Sequence, residues 1–356
     1  MSELRGFMTT DTVPQMPRHQ PVTLEEVAAR AGVSPGTVSR VLNGKNKENR
    51  PAIAKRSEEI RQLALRLGYR PNTAARSIIR GRFGAVAFVT CGDAGTDWYP
   101  ISGLNGIHTA VEKLEWRLMF NELPASKINN PKIVPQLFRE AAVDGLIVNL
   151  LPVFSQQVVD YFENQPLSCV LLNLKRKMRC VYPDEFSGSS VAVKWLHKRG
   201  HQRIGFFSRQ FAPTPHYSAV DRFAGFEKAM KALGLPSHRH LDLVAGPGVA
   251  QVPALPRAEI FLKEFPDLQA VLCYEMEEAV CMAYAAERAG IRVPQQLEVM
   301  AFSERDVRGN TGLSIPTVSI PFMEVGREAV EMLRIMLDEG NREVPSVAVP
   351  YTHVVL

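Results

Sequence analysis

The sequence predicts an α/β protein, in which a small all-α N-terminal domain precedes a larger two-lobed body built on parallel sheets. Residues 22–80 show helical patterns and no convincing strand, whereas short apolar runs alternate with helical stretches from Gly84 onward. Alternation of this kind indicates parallel sheets covered by helices on both faces. The roughly 270 residues of the body are too many for one comfortable sheet, so we expect two lobes.

Charge is distributed unevenly along the chain of 356 residues. Residues 1–84 carry 15 Lys and Arg against 7 Asp and Glu, whereas residues 85–356 carry 27 against 30. A basic N-terminal part on a mildly acidic body suggests that this part binds a polyanion. A solvated basic helix surface is an equally good explanation of the charge alone.

Several protein classes are excluded by what the sequence lacks. No apolar run approaches the roughly 20 residues of a membrane helix, and residues 1–21, without a signal-peptide core, are expected to form a disordered leader. Five scattered cysteines without a C-x-x-C argue against disulfides and zinc and fit a reducing cytoplasm. The motifs of serine hydrolases, P-loop NTPases and zinc proteases are missing, so we expect no enzyme, cofactor or metal site. His238 and His240 are expected in a solvated loop.

The N-terminal domain is predicted to contain three helices. Thr23 and Glu26 form a capping box at the first helix, which ends at Gly32. A second short helix runs from Pro35 to about Leu42, and a third covers Ala52–Leu67. Two short helices across a tight turn indicate a helix-turn-helix, with an ordinary helical hairpin as the alternative.

The outward side chains of the second helix suit the major groove of DNA. Apart from Arg40 they are small or polar, so the helix is slim enough to enter the groove while Arg40 donates two hydrogen bonds to a guanine. Its hydroxyls suit phosphates or base edges. The predicted major-groove contacts are Ser34, Pro35, Gly36, Thr37, Ser39, Arg40 and Asn43.

Residues 71–83 are predicted to form a hinge helix and linker. The helical part is too short to be stable alone in water, so it would form against DNA, with Ile78 or Ile79 as an apolar wedge in the minor groove. The alternative is a plain linker whose isoleucines pack on the body. The predicted hinge contacts are Asn72, Ala75, Arg76 and Ile78.

Polar residues follow the predicted strands of the body, where parallel sheets form their ligand crevice. They could line a cleft for a hydroxylated ligand, although strand ends are generally polar because they meet loops. Trp98 could stack on the face of a sugar or serve in packing. The candidates for this cleft are Trp98, Asn149, Asn173, Tyr274, Glu275, Ser303 and Glu304.

A series of motifs occurs in one order along both parts of the chain. They include Thr23–Ala28, Ala31–Ser34, Thr37–Gly44 and Leu67–Asn72 in the N-terminal part, and Asp144–Val148, Arg222–Phe226, Gly290–Pro294 and Ile315–Val318 in the body. In these motifs the chain closely resembles the LacI/GalR family of bacterial transcription regulators, from about residue 22 almost to its end. Pro35 and Gly36 depart from the family, since they carry no base-reading side chain where relatives often set operator preference.

The resemblance implies a cytoplasmic, nucleoid-associated regulator of transcription, most often a repressor, with lobes like those of periplasmic sugar-binding proteins. Because one helix-turn-helix domain covers only a half-site, we expect a homodimer on a palindromic operator in double-stranded DNA. The expected division is residues 22–70 for DNA binding, 84–180 and 320–343 for the N-terminal lobe, and 181–319 and 344–356 for the C-terminal lobe. The three crossovers between the lobes are expected near Arg179–Tyr182, Thr317–Ile320 and Asn341–Pro345.

The resemblance also implies a small-molecule effector bound between the lobes. Arg222 matches the family arginine that hydrogen-bonds ligand hydroxyls or carboxylates. The acceptors usual after two strands are replaced, yet Glu275 and Glu304 keep carboxylates nearby, so a sugar or related polyol remains open. A ligand of different chemistry, or none, is also open. The competing functions are an α/β enzyme and a cytoplasmic ligand-binding protein with an accessory helical domain.

Overall fold

The computed structural model divides the chain into two compact units, Met1–Gly81 and Arg82–Leu356. The leader at residues 1–21 and the predicted hinge contacts Asn72, Ala75, Arg76 and Ile78 lie outside the residues that the structure describes. The described residues are 22–43, 50–70, 81–91, 100–123, 143–150, 156–164, 166–211, 216–243, 253–304, 312–340 and 343–356.

The described part of the N-terminal unit is a packed set of three helices, α1 (Leu24–Ala31), α2 (Pro35–Leu42) and α3 (Pro51–Arg66). The capping box is confirmed, since the Thr23 hydroxyl accepts from the backbone N–H of Glu26 at 3.2 Å and the Glu26 carboxylate accepts from that of Thr23 at 3.0 Å. The three helices enclose a small apolar core, formed by Val27, Ala28, Val38, Val41, Ile60 and Ala64.

The first sheet of the body consists of six described strands in the order β11-β5-β4-β3-β1-β2, all paired in parallel. Helices cover both of its faces, as the alternation of apolar runs predicts. The strands are β1 (Ala85–Cys91), β2 (Arg117–Leu123), β3 (Gly145–Leu150), β4 (Ser168–Leu172), β5 (Cys180–Pro183) and β11 (Val347–Val349), and the helices are α4 (Ile101–Lys113), α5 (Gln156–Glu163) and α10 (Phe322–Glu339).

The second sheet has six described strands in the order β12-β10-β9-β8-β6-β7. Its pairs are parallel except for β10 with β12. The strands are β6 (Ile204–Phe211), β7 (Ser237–Leu243), β8 (Ala270–Cys273), β9 (Glu298–Ser303), β10 (Thr317–Ser319) and β12 (Val354–Val355), and the helices are α6 (Glu185–Lys198), α7 (Tyr217–Ala232), α8 (Ala254–Glu264) and α9 (Met276–Arg288).

The chain changes sheets at positions that correct the expected lobe boundaries. β5 pairs with β4 and with β11, so residues 181–183 belong to the first lobe and the first crossover follows Pro183. Val347–Val349 also lies in the first sheet, so the last crossover falls between Val349 and Val354 and not at Asn341–Pro345. The backbone groups on the outer edge of β5 are paired by β11 before the chain crosses to the second lobe.

The strand β7 corrects a second expectation. Residues 237–243, including His238 and His240, form the edge strand of the second sheet and not a loop. An edge strand tolerates polar residues because one side of it is unpaired, and therefore its sequence lacks the apolar run of a central strand.

The cysteine side chains that the structure describes, Cys169, Cys180, Cys273 and Cys281, are free thiols. Within the same ranges, no helix is long and apolar enough to cross a membrane.

Candidate functional site

The N-terminus of α2 is the exposed end of the helix-turn-helix. Ser34 caps it, since its hydroxyl accepts from the backbone N–H of Thr37 at 3.2 Å and lies 2.9 Å from the Thr37 hydroxyl. The first turn contains no acidic residue, and Ser34, Pro35 and Gly36 are exposed. Pro35 has no N–H and the N–H of Thr37 is bonded to Ser34, so the first turn presents the Gly36 N–H and the positive end of the helix dipole to solvent, an arrangement that favours an anion such as phosphate.

Arg40 stands exposed on the outer face of α2. Its Nε donates to the carbonyl of Gly36 at 3.4 Å, a long contact that leaves the terminal guanidinium nitrogens available. One turn further, the Asn43 amide donates to the Ser39 hydroxyl at 3.2 Å, and both side chains are half-buried. The structure thus brings the predicted major-groove residues to one helix, with Arg40 as its long donor.

The unit that carries α2 is held by contacts that fix the angle between its helices. Gly32 ends α1 with a φ of 64°, a conformation that favours glycine, and Val27 and Val38 are fully buried. Arg56 of α3 donates to the carbonyl of Ala31 at 2.6 Å and so caps the end of α1.

In the body, the predicted cleft residues lie at the ends of four described strands. Asn149 lies one residue before the end of β3 and is buried. Ser303 is the last residue of β9 and is 8% exposed. Asn173 follows β4 with a φ of 57°, and Tyr274 follows β8. Trp98 lies outside the described residues. The strand-end rule therefore places the described candidates at the carboxyl edges of the two sheets.

Arg222 occupies the centre of a buried polar cluster. It projects from α7 and forms a two-bond pair with the Glu185 carboxylate, at 2.6 Å from Nε and 3.0 Å from a terminal nitrogen. A third donor reaches the carbonyl of Tyr274 at 2.6 Å. The guanidinium also lies over the rings of Tyr274 and Phe302, at 4.5 and 4.2 Å from their centroids. Two aromatic faces and a carboxylate thus surround the cation.

The same carboxylate joins the crossovers between the lobes. Tyr351, on the last crossover, donates its hydroxyl to Glu185 at 2.6 Å, and Glu185 itself directly follows the first crossover. Burial on its own would lower the pKa of Arg222, but the charge and hydrogen bond of Glu185 together with Tyr351 and Tyr274 outweigh it, and the pKa is raised. Burial, reinforced by the Glu185 charge, raises the pKa of Tyr351 well above its usual value, so its hydroxyl stays a donor.

Three polar contacts connect the lobes along the cleft. His216 lies 2.8 Å from the carbonyl oxygen of Asn173, so its Nε2 donates there, and its Nδ1 lies 2.7 Å from the Ser218 hydroxyl. Burial lowers the pKa of His216, which favours this neutral form. The other two contacts are an ion pair between Lys175 and Asp221 at 2.5 Å and a hydrogen bond from Ser102 to Glu304.

A cavity of about 10 Å³ lies beside Asn149, Asn173 and Phe322, which is room for one water molecule.

Sequence reasoning found part of this cluster and missed the rest. Asn173, Arg222 and Tyr274 were predicted and lie in one network, whereas Glu185, His216 and Tyr351 were missed. Glu185 follows the carboxyl end of β5 just as the other candidates follow their strands, but β5 itself is too short to recognise from the sequence.

Comparison with known proteins matches both parts of the chain. The profile described as bacterial regulatory proteins of the lacI family matches residues 23–72, and that of a periplasmic binding protein-like domain matches residues 193–356. The transcriptional regulator CelR of Thermobifida fusca is 26% identical and covers 96% of this chain and 99% of its own. AscG of Escherichia coli, also a transcriptional regulator, is 25% identical and covers 91% and 94%.

Solved structures show the same fold. A lac repressor dimer bound to operator and the anti-inducer ONPF matches with a TM-score of 0.70 at 21% identity, covering 95% of this chain and 98% of the other. A complex of CelR with cellobiose matches with a TM-score of 0.60 at 22% identity, covering 94% and 98%.

A helix-turn-helix domain joined to a two-lobed, periplasmic-binding-protein-like body defines a DNA-binding transcription regulator. The N-terminal part is a helix-turn-helix domain of the LacI family of bacterial regulatory proteins, as the resemblance in its sequence indicates, and the body matches a periplasmic binding protein-like domain. The curated relatives named above are regulators and not enzymes.

Proposed function

We propose that the protein is a repressor that binds a palindromic operator as a cytoplasmic homodimer, without catalytic activity, and that an effector bound between its lobes controls its affinity for DNA. The observation that carries the proposal is the exposed N-terminal turn of α2, which has no acidic residue and is followed by exposed Arg40. This surface offers the Gly36 N–H and the helix dipole for phosphate and one long side chain for a base edge.

Each predicted contact has a chemical role in this proposal. Arg40 reads a guanine, and Ser34, Thr37, Ser39 and Asn43 donate to phosphates or base edges. Pro35 and Gly36 let the backbone approach the groove closely. In the hinge, Asn72, Ala75, Arg76 and Ile78 contact the minor groove, with Ile78 as the wedge.

Exposed apolar side chains in the body support dimer formation. β2 is the edge strand of the first sheet, and on it Phe120 is 60% exposed, while Ile101 at the start of α4 is 74% exposed. In the second lobe, Tyr284 on α9 and Ile260 on α8 are also exposed. Large exposed apolar side chains mark protein interfaces when they lie close together. A second copy of the chain would cover those of the first lobe and those of the second lobe.

The effector is proposed to be a sugar or related polyol. Cellobiose is bound by the related CelR, and the cleft of this chain offers acceptors and donors for hydroxyls in Asn149, Asn173, Ser303 and Glu304. Glu275, Tyr274 and Trp98 are the further candidates, of which Trp98 lies outside the residues that the structure describes. Arg222 is already paired with Glu185, which favours a positioning role for it, so its direct contact with effector stays a prediction.

The test of DNA recognition is a selection of operator fragments from genomic DNA, followed by fluorescence anisotropy on the selected duplex. Arg40→Ala should cost about 1–3 kcal/mol on that duplex and much less on random DNA. Arg66→Ala, an exposed arginine at the end of α3, is the matched control. Equal losses on both duplexes would assign Arg40 to phosphate, and a binding curve unaffected by salt would contradict a DNA-binding domain.

A thermal-shift screen of sugars on the full-length protein tests the effector. A ligand present at about 100 times its dissociation constant should stabilise the protein by about 2.7 kcal/mol. The same ligand must change operator affinity. A sugar that stabilises the protein without changing operator affinity would contradict its role as effector.

A further inference from the structure

A cationic groove lies on the first lobe, next to the ion pair between Lys175 and Asp221. The loop between β4 and β5 carries four basic side chains within five residues, Lys175, Arg176, Lys177 and Arg179. They line an open groove of about 790 Å³ together with Glu163, Tyr182 and Ser346. Four cations thus face a single carboxylate among the lining side chains, in a volume typical of small-molecule sites.

The backbone of this loop is fixed by hydrogen bonds to neighbouring segments. The backbone N–H of Ser346 donates to the carbonyl of Lys177 at 3.0 Å, and that of Arg179 donates to Val344 at 2.9 Å. The carbonyl of Arg179 accepts from Leu171 of β4 at 2.8 Å. The cations are therefore mounted on a rigid frame, which lowers the entropy lost when they bind a common ligand.

The cations differ in how far they are already neutralised. Lys175 pairs with Asp221 at 2.5 Å, and Arg179 donates to the carbonyl of Glu163 at 3.3 Å. Lys177 is exposed and has no ion pair among the residues that the structure describes. Ser346 accepts from the backbone of Cys180 at 2.9 Å, so its hydroxyl proton can be donated. Lys177 and the Ser346 hydroxyl are therefore donors that a ligand in the groove can engage.

We propose that this groove is a second ligand site, which binds a small phosphorylated molecule through its phosphate groups. Charge-assisted hydrogen bonds from Lys and Arg to phosphate oxygens are strong, and the exposed ammonium of Lys177 lies in the same groove as the Ser346 hydroxyl. Binding would draw Lys175 from Asp221 and so weaken one of the contacts between the lobes.

Isothermal titration calorimetry on the full-length protein tests the site, with pyrophosphate and a hexose bisphosphate as probes and the free hexose as neutral control. Both phosphorylated probes should bind saturably at constant ionic strength. Lys177→Ala should weaken that binding about tenfold or more, since one charge-assisted contact is lost. Lys198→Ala, an exposed lysine at the end of α6, should leave it unchanged.

A second pair of variants tests the competition for Lys175. Asp221→Asn should tighten binding of both probes because it frees Lys175, whereas Asp267→Asn, on an exposed turn, should have no effect. The proposal is overturned if neither probe binds saturably or if Lys177→Ala and Lys198→Ala weaken binding equally. It is also overturned if Lys177→Ala reduces operator affinity while probe binding is unchanged, which would assign the groove to DNA. The pyrophosphate titrations require neither operator nor sugar, so their outcome stands apart from the proposed function.

Discussion

Removal of the carboxylate at Glu185 should unfold the body at a markedly lower temperature. The side chains of Glu185 and Arg222 are 3% and 6% exposed, and their two hydrogen bonds measure 2.6 and 3.0 Å. Glu185→Gln keeps the shape but leaves the Arg222 charge buried and unpaired, which costs about 3–5 kcal/mol in other proteins. At about 2 °C or more per kcal/mol, the melting temperature should fall by about 6 °C or more.

A double-mutant cycle measures whether the two side chains act together. Arg222→Gln alone should cost a similar amount because Glu185 is then the buried unpaired charge. The double variant buries no charge at this place, so its loss should be smaller than the sum of the two single losses by about 1–3 kcal/mol. Unfolding by urea, followed by tryptophan fluorescence and circular dichroism, provides the free energies.

An exposed ion pair in the same lobe is the control. Arg239 and Glu227 are 56% and 45% exposed, so Arg239→Gln should cost less than about 1 kcal/mol. Single losses below about 1 kcal/mol at Glu185 and Arg222, or losses that simply add, would refute the reasoning. Loss of effector response in Arg222→Gln with unchanged stability would instead place Arg222 in direct contact with the ligand.

Three further predictions concern the hinge, a titrating group and a helix contact. Ile78→Ala should reduce operator affinity and DNA bending together, measured by energy transfer between dyes at the duplex ends; unchanged bending would reject Ile78 as the wedge. Burial lowers the pKa of His216 from 6.5, so the unfolded chain binds more protons and stability should fall as the pH drops below 6.5; His216→Gln should show a weaker fall in melting temperature, and an identical profile would contradict this. Gly106→Ala should destabilise the body by about 1–3 kcal/mol, because a Cβ there would lie 2.1 Å from the carbonyl oxygen of Met323; in urea unfolding, Gly36→Ala, whose Cβ meets nothing nearer than 3.9 Å, should not.

The helices of the N-terminal domain were predictable because their signals are local. The capping box at Thr23, the glycine at position 32 and the proline at position 35 each fix a helix end within a few residues of sequence. The observed α3, Pro51–Arg66, differs from the predicted Ala52–Leu67 by one residue at each end. No long-range pairing was needed to find these elements.

The sheets were predictable only at their centres. The short apolar runs that follow Gly84 in the sequence include Ala85–Val89 and Ile204–Phe207, and these lie within β1 and β6. The edge strands β2 and β7 were missed because half of their backbone and side chains face solvent, so polar residues such as Arg239 interrupt the run. β5 has four residues and ends in Pro183, too short for any periodicity.

The partner of Arg222 depends on those missed elements, and this limits what its sequence match can mean. β5 ends at Pro183, so the chain enters α6 with Glu185 in the first helical turn, beneath α7 and within reach of Arg222. Tyr351 reaches the same carboxylate from a crossover whose position follows from the pairing of β11 with β5. Both placements are set by strand register across more than a hundred residues of chain, which no local motif encodes. A family motif therefore identifies Arg222 as a side chain near the cleft. The register of β5 and β11 determines that Glu185 pairs with it, and this pairing limits how strongly Arg222 can bind a ligand.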